Sequence, residues 1–224
     1  MDGLQAETVR SAVKDLLGEQ GYKDPGLTGF VTKSLLALQY VDPPAIWHSI
    51  RVSGYCVHLG RAMRMPPHTI GLLRLAGLLH DIGKTAVPAA LLAKPNPLTV
   101  NELQQVRLHP VAGQQMLRCH ENPEIRAVHG LVRHHHERLN GEGYPDKLSG
   151  PAIGQMVRVL SVADVYDALT SHRPYRLAMT PNAALKDLDT AAAAGQMDPA
   201  VVQCLHDLIP GRVLFNPRWT AAGE

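Results

Sequence analysis

Apolar residues recur every three to four positions along nearly the whole chain, and no run alternates with period two or carries the β-branched enrichment of a strand. A chain patterned this way buries its apolar stripes by packing helix on helix, so an all-α fold, a helical bundle, is expected. Two stretches, residues 70–82 and 156–169, are apolar nearly all round, as in helices enclosed by others. Helix starts are marked by Thr99 and Glu102 at capping-box spacing, and by Asn122, Thr180 and Asp198, each followed by proline. Leu4, Val9, Val13, Leu16 and Leu17 suggest a first amphipathic helix ending near Gly21, and residues 30–40 a second before Pro43 and Pro44. These two form a short helical N-terminal appendage, residues 1–43, which carries no motif of its own. A main domain over residues 44–210 and a tail over 211–224 complete the expected organisation.

Composition removes several function classes. A formal charge of +2 with scattered Lys and Arg gives no basic stripe, so duplex nucleic acid is disfavoured as a partner. Cys56, Cys119 and Cys204 form no C-x-x-C pair, which argues against a disulfide framework or a thiolate zinc site and fits a reducing cytoplasm. The N-terminus lacks a basic region followed by an apolar run, and no apolar stretch reaches the ~18 residues of a membrane span. What stands out is histidine, with twelve residues, several beside one another or beside carboxylates.

His80-Asp81 ends the apolar stretch 70–82, where an ionised carboxylate is costly unless paired or bound to metal. A capping aspartate beside a hydrogen-bonded core histidine would answer that cost equally well. Read as one helix, residues 123–138 place Ile125, Val128 and Val132 on one stripe, with His135 and His136 at its edges and His134 nearly opposite, in solvent. His135 and His136 could then converge on one buried point as metal ligands, or form a hydrogen-bonded core pair. Asp164 sits inside the second apolar stretch, as a ligand or as the partner of Arg158 or Arg173.

Together, His48 in HSIR, His80-Asp81 and Lys84 in HDIGK, His109 in HP, His135-His136 in HHERLNGEGYP and Asp164 in ADVYDALTSHRPYR resemble the HD-GYP family of cyclic di-GMP phosphodiesterases, over about residues 45–205. The resemblance implies an HD-domain helical bundle with a metal centre of iron or manganese. Imidazole and carboxylate ligands without thiolates suit those ions and zinc alike. His48, His80, Asp81 and Asp164 would hold one ion. Asp81 would bridge to a second held by His109, His135 and His136, with a hydroxide between the two ions as nucleophile. Lys84 would contact phosphate, although a solvated lysine at a helix end reads the same way in isolation. Arg173 and Tyr175 match positions near the substrate, where they could pair with phosphate and stack on a base, and the tyrosine could equally be core. Gly141, Gly143, Tyr144 and Pro145 form either a recognition loop, which the resemblance ties to activity and to GGDEF-domain cyclase partners, or a plain helix-ending turn.

Family members with three ions carry a glutamate four residues before the His48 position, and here Pro44 stands there. Two metal ions are therefore expected, with the His48 helix starting near Pro44 and Asp42 pointing elsewhere. Asn140 replaces an aspartate common in the loop motif, and Ala86 a usual glycine. The expected activity is hydrolysis of cyclic di-GMP to pGpG or GMP in bacterial signalling. A cyclic GMP-AMP phosphodiesterase and an interaction module that binds a GGDEF-type partner are the alternatives, and a homodimer stays open.

Overall fold

The computed structural model describes residues 3–172 and 177–209, with side chains from residue 6. Its helices are α1 (Gly3–Gly18), α2 (Pro25–Val41), α3 (Ala45–Ala62), α4 (Pro67–Leu79), α5 (Ala89–Leu92), α6 (Val100–Val106), α7 (His109–Arg118), α8 (Pro123–Ala127), α9 (His129–His134), α10 (Gln155–Thr170), α11 (Pro181–Ala193) and α12 (Pro199–Leu208). Short 3-10 turns cover Ile82–Ala86 and Gly150–Ala152, and among the described residues no strand forms beyond a single bridge between Asn140 and Ser149. The expected caps are in place. Thr99 and Glu102 make a reciprocal capping box, and the side chains of Asn122, Thr180 and Asp198 accept from backbone N–H groups in the first turns they precede.

α10 runs through the centre. It packs against α3, α4, α9, α11 and α12, with Val159, Leu160, Val162 and Ala163 fully inaccessible. A helix touched on every side has no polar face to spare, which is why its sequence is apolar all round. α3 lies along α4, and Val9, Val13 and Leu17 of α1 join Leu27, Val31 and Leu35 of α2 in the same core cluster. Arg74 of α4, 3 % exposed, donates at 2.9 Å to Glu19 Oε2 in the turn that follows α1. Among the described residues no helix is long and apolar enough to cross a membrane, and all three cysteines are free.

Two expected elements are subdivided. The stretch 70–82 is not one helix: α4 stops at Leu79, and Asp81, at φ −95° and ψ 3°, leads into the 3-10 turn whose bonds run Lys84 N–H to Asp81 O and Val87 N–H to Lys84 O, both 2.9 Å. Segment 123–138 breaks at Val128, φ −92° and ψ −2°, into α8 and α9. Ile125, Val128 and Val132 are nevertheless all fully buried. The chain bends there because both halves wrap one core.

Candidate metal centre

Three of the histidines are fixed by one local device. His80, His109 and His135 each turn Nδ1–H back onto a carbonyl three residues earlier, Gly77 O at 2.9 Å, Val106 O at 2.8 Å and Val132 O at 2.7 Å. A carbonyl can only accept, so the proton sits on Nδ1 and the Nε2 lone pair is left free. These lone pairs converge: His80 Nε2 lies 3.3 Å from His48 Nε2, and His109 Nε2 lies 3.4 Å from His135 Nε2. The His109 and His135 lone pairs, facing one another without a shared proton, repel unless a cation lies between them, so the donor set fits metal ions.

The carboxylates complete it. Asp81 Oδ2 is 3.4 Å from His80 Nε2 and 3.9 Å from His48 Nε2, while its Oδ1 is 3.3 Å from His109 Nε2. Asp164 Oδ1 is 3.1 Å from His48 Nε2, and its Oδ2 is 3.9 Å from His136 Nδ1. Among the described residues, donor atoms within 4.8 Å of one another form three groups that could hold an ion: His48, His80, Asp81; His109, His135, His136; and His80, His135, Asp164. Burial alone would raise the Asp81 pKa, but Lys84 and His80 beside it hold it well below the usual carboxylate range. Burial alone would likewise raise the Asp164 pKa, but His48 and His80 hold it well below the usual carboxylate range. Burial pushes His136 down to about 3, and burial with three neighbouring histidines pushes His135 well below its ordinary value. Anionic carboxylates and neutral imidazoles are the protonation states that bind metal.

His48 is held differently. Its Nδ1 faces Asp167 Oδ2 at 2.7 Å, and Arg51 donates from Nε and Nη2 to the same carboxylate at 2.7 and 3.0 Å. Against the pull of burial, Asp164 and Asp167 raise the His48 pKa to about 9. Asp167 was not singled out from sequence, although a second carboxylate three residues after Asp164 on an apolar helix was a usable signal. It fixes which His48 nitrogen faces the centre.

Lys84 is not a solvated lysine. Its Nζ lies 2.8 Å from Asp81 Oδ2 and donates to Asp42 Oδ2 at 3.1 Å. This corrects the expectation that Asp42 points elsewhere: the helix containing His48 does start at Ala45 with Pro44 as its cap, but Asp42 caps the end of α2 instead. α2 packs on the 3-10 turn that carries Lys84, and this packing delivers the carboxylate. Gly83 in that turn permits the approach to α7, where any Cβ would collide with the His109 carbonyl.

The loop after His136 is organised by a residue the sequence reading passed over. Glu137, 2 % exposed, accepts from Asp146 N at 2.7 Å and Leu148 N at 3.0 Å. Gly141 has φ +81°, and a Cβ at Gly143 would overlap the backbone of Glu137 and Arg138. Tyr144 stacks on His136 with centroids 4.8 Å apart, and Arg107 lies 5.2 Å over its ring. His134, expected in solvent, instead meets Asp146 Oδ2 at 2.8 Å, because the loop folds back over α9 and Arg133 grips the same carboxylate at 2.6 Å. Asn140 makes a local turn with Glu142. Arg158 is committed to Asp198 at 3.0 Å and does not serve Asp164. Arg173 and Tyr175 lie outside the described residues. Over the centre opens a cavity of about 420 Å³ lined by residues including His48, Asp81, Lys84, His109, His136, Arg138, Tyr144 and Asp164. His80 and His135, fully inaccessible, lie beneath it.

The family model described as "HD domain" matches residues 32–201. The chain is 40% identical over 172 residues to a cyclic di-GMP phosphodiesterase of Pseudomonas aeruginosa, covering 75% of this chain and 40% of that protein. It is 34% identical over 188 residues to 3'3'-cGAMP-specific phosphodiesterase 3 of Vibrio cholerae, covering 83% and 40%. The chain thus spans about two fifths of the length of these curated relatives. Among solved structures, an HDG"Y"P protein from Bdellovibrio bacteriovorus superposes with a TM-score of 0.63 at 20% identity, over 92% of this chain and 72% of that one, a likeness of fold.

Proposed function

Because the chain belongs to the HD-domain family, we propose that it is a metal-dependent phosphodiesterase that hydrolyses a cyclic dinucleotide, cyclic di-GMP, to pGpG or GMP. The observation that carries this reading is the convergence of His48, His80, Asp81, His109, His135, His136 and Asp164 at the base of one open cavity with cationic walls. Ions bound by these residues would supply Lewis acidity to the phosphoryl group and to the attacking water. The protein's own part is positional. The backbone locks on three imidazoles keep their donor atoms aimed inward, Asp81 presents one oxygen to each side, and Lys84 adds positive charge where the phosphate would lie. Burial and the nearby Asp81 keep the Tyr144 phenol protonated, which makes it a hydrogen-bond donor at the cavity rim.

Iron or manganese fits the nitrogen and oxygen donors. Two ions rather than three follow from Pro44, which offers no ligand atom, and from Asp42, which is committed to Lys84. Elemental analysis with anomalous scattering checks the count, and a third fully occupied site refutes it. The loop of Gly141, Gly143, Tyr144 and Pro145 would be the contact surface for a GGDEF-domain partner.

The test is chromatography of products after anaerobic loading with manganese or iron. Hydrolysis of cyclic di-GMP, abolished by Asp81→Ala with the fold retained, supports the reading. No turnover by folded, metallated protein refutes it and leaves the interaction module. The likeness to a cyclic GMP-AMP phosphodiesterase makes that substrate the second reading, separated by competition between the two dinucleotides.

A further inference from the structure

Among the described residues Lys84 and Arg138 reach the cavity, and their surroundings differ. Lys84 is held between two carboxylates, Asp81 at 2.8 Å and Asp42 at 3.1 Å, so its charge is already compensated. Ions on Asp81 would repel the ammonium, leaving Asp42 as the anion that keeps it in place. Arg138 also lines the cavity, but among the described residues no carboxylate forms an ion pair with it. Its Nη1 donates to Glu137 O at 2.9 Å and His135 O at 3.4 Å, which pins the guanidinium to the backbone that carries the His135 ligand. A half-buried guanidinium keeps its charge and is costly there without an anion.

We propose that Arg138 is a second phosphate-binding residue of this site beside Lys84, its guanidinium pairing with the non-bridging oxygens of the substrate diester. The proposal rests on the phosphodiesterase reading above. A planar fork of donors suits two phosphate oxygens, and anchorage through Nη1 pre-orders it, so little side-chain entropy is lost on binding.

Steady-state kinetics on the manganese-loaded full chain test it, with cyclic di-GMP and the base-free diester bis(para-nitrophenyl) phosphate as substrates. Arg138→Gln is expected to raise KM for both by about 10–100-fold, the loss of a charged hydrogen bond, with wild-type metal content and Tm. Arg138→Lys, which restores charge without the planar fork or the double backbone anchor, is expected to recover only part of that loss. Unchanged KM on both diesters overturns the proposal, as does a rise confined to the dinucleotide, which would mean a base contact. Equal impairment of Arg138→Gln and Arg138→Lys together with lost metal overturns it in favour of a purely structural anchor. A wild type that cleaves only the base-free diester ends the cyclic dinucleotide reading, and that diester then decides Arg138. If the wild type cleaves neither, titration calorimetry of inorganic phosphate into the loaded protein decides, and equal affinities for wild type and Arg138→Gln overturn the assignment.

Discussion

The two sides of the centre are built by different means. On one side His80, His109 and His135 are each oriented by a carbonyl three residues earlier on their own segment, so the same short-range lock is used three times. On the other side His48 and Lys84 are oriented by carboxylates far away in sequence, Asp167 at a separation of 119 residues and Asp42 at 42. The locally locked histidines need only their helix ends to form. The second pair needs α3 packed on α10 and α2 packed on the turn after α4. Metal affinity should thus depend on tertiary packing more on the His48 side than on the His135 side.

The sharpest break comes from removing a locally locked ligand. His135→Ala should lose the ion held with His109 and His136, leave the ion of the His48, His80 and Asp81 group, and abolish turnover, read by elemental analysis and product chromatography. Retention of full metal content would show that the floor of the site is dispensable.

Next in size is the pH response of the metal-free protein, in which the two sides titrate in opposite senses. His136, pushed down to about 3, contributes stability that is present above its ordinary pKa and is lost as pH falls below that value. His48, raised to about 9, contributes stability that is complete below its ordinary pKa and is lost as pH rises through 9. The acid limb should amount to about 5 kcal/mol and the alkaline limb to about 3 kcal/mol, measured by denaturant unfolding across pH. Asp167→Asn should flatten the alkaline limb only, and flattening of both would erase the distinction between the two sides.

Asp167→Asn in the presence of metal is the third test. An outer carboxylate that orients a ligating histidine contributes about 10–100-fold in metal affinity, so titration calorimetry should find weakened but measurable binding. A loss as complete as that of His135→Ala would place Asp167 among the ligands themselves.

The smallest effect is expected for Asp42→Asn, which removes the anion from Lys84 and keeps a neutral oxygen acceptor in its place. KM should rise a few-fold, a cost of about 1 kcal/mol, with metal content unchanged. A drop in metal content would make Asp42 a ligand and end the two-ion reading.

Features that depend on neighbours along the chain were legible in the order of residues alone. The period of the apolar residues set the all-α class, and side chains that bond backbone a few positions away set the helix starts at Thr99, Asn122, Thr180 and Asp198. His80-Asp81, His135-His136 and Asp164 stood out because polar groups on apolar stretches demand a partner. The break at Val128 and the early end of α4 escaped the pattern, since a hydrophobic period does not record where a helix bends around its core. Only the tertiary structure decided that Asp167 holds His48, that Asp42 holds Lys84, that Glu137 holds the loop and that Arg138 reaches the cavity without an anion. Two of these pairings, Asp167 with His48 and Asp42 with Lys84, join residues brought together by helix packing. The other two depend on how a loop folds back on itself and on which side of a backbone a cavity opens, and no local spacing in a single sequence carries that information.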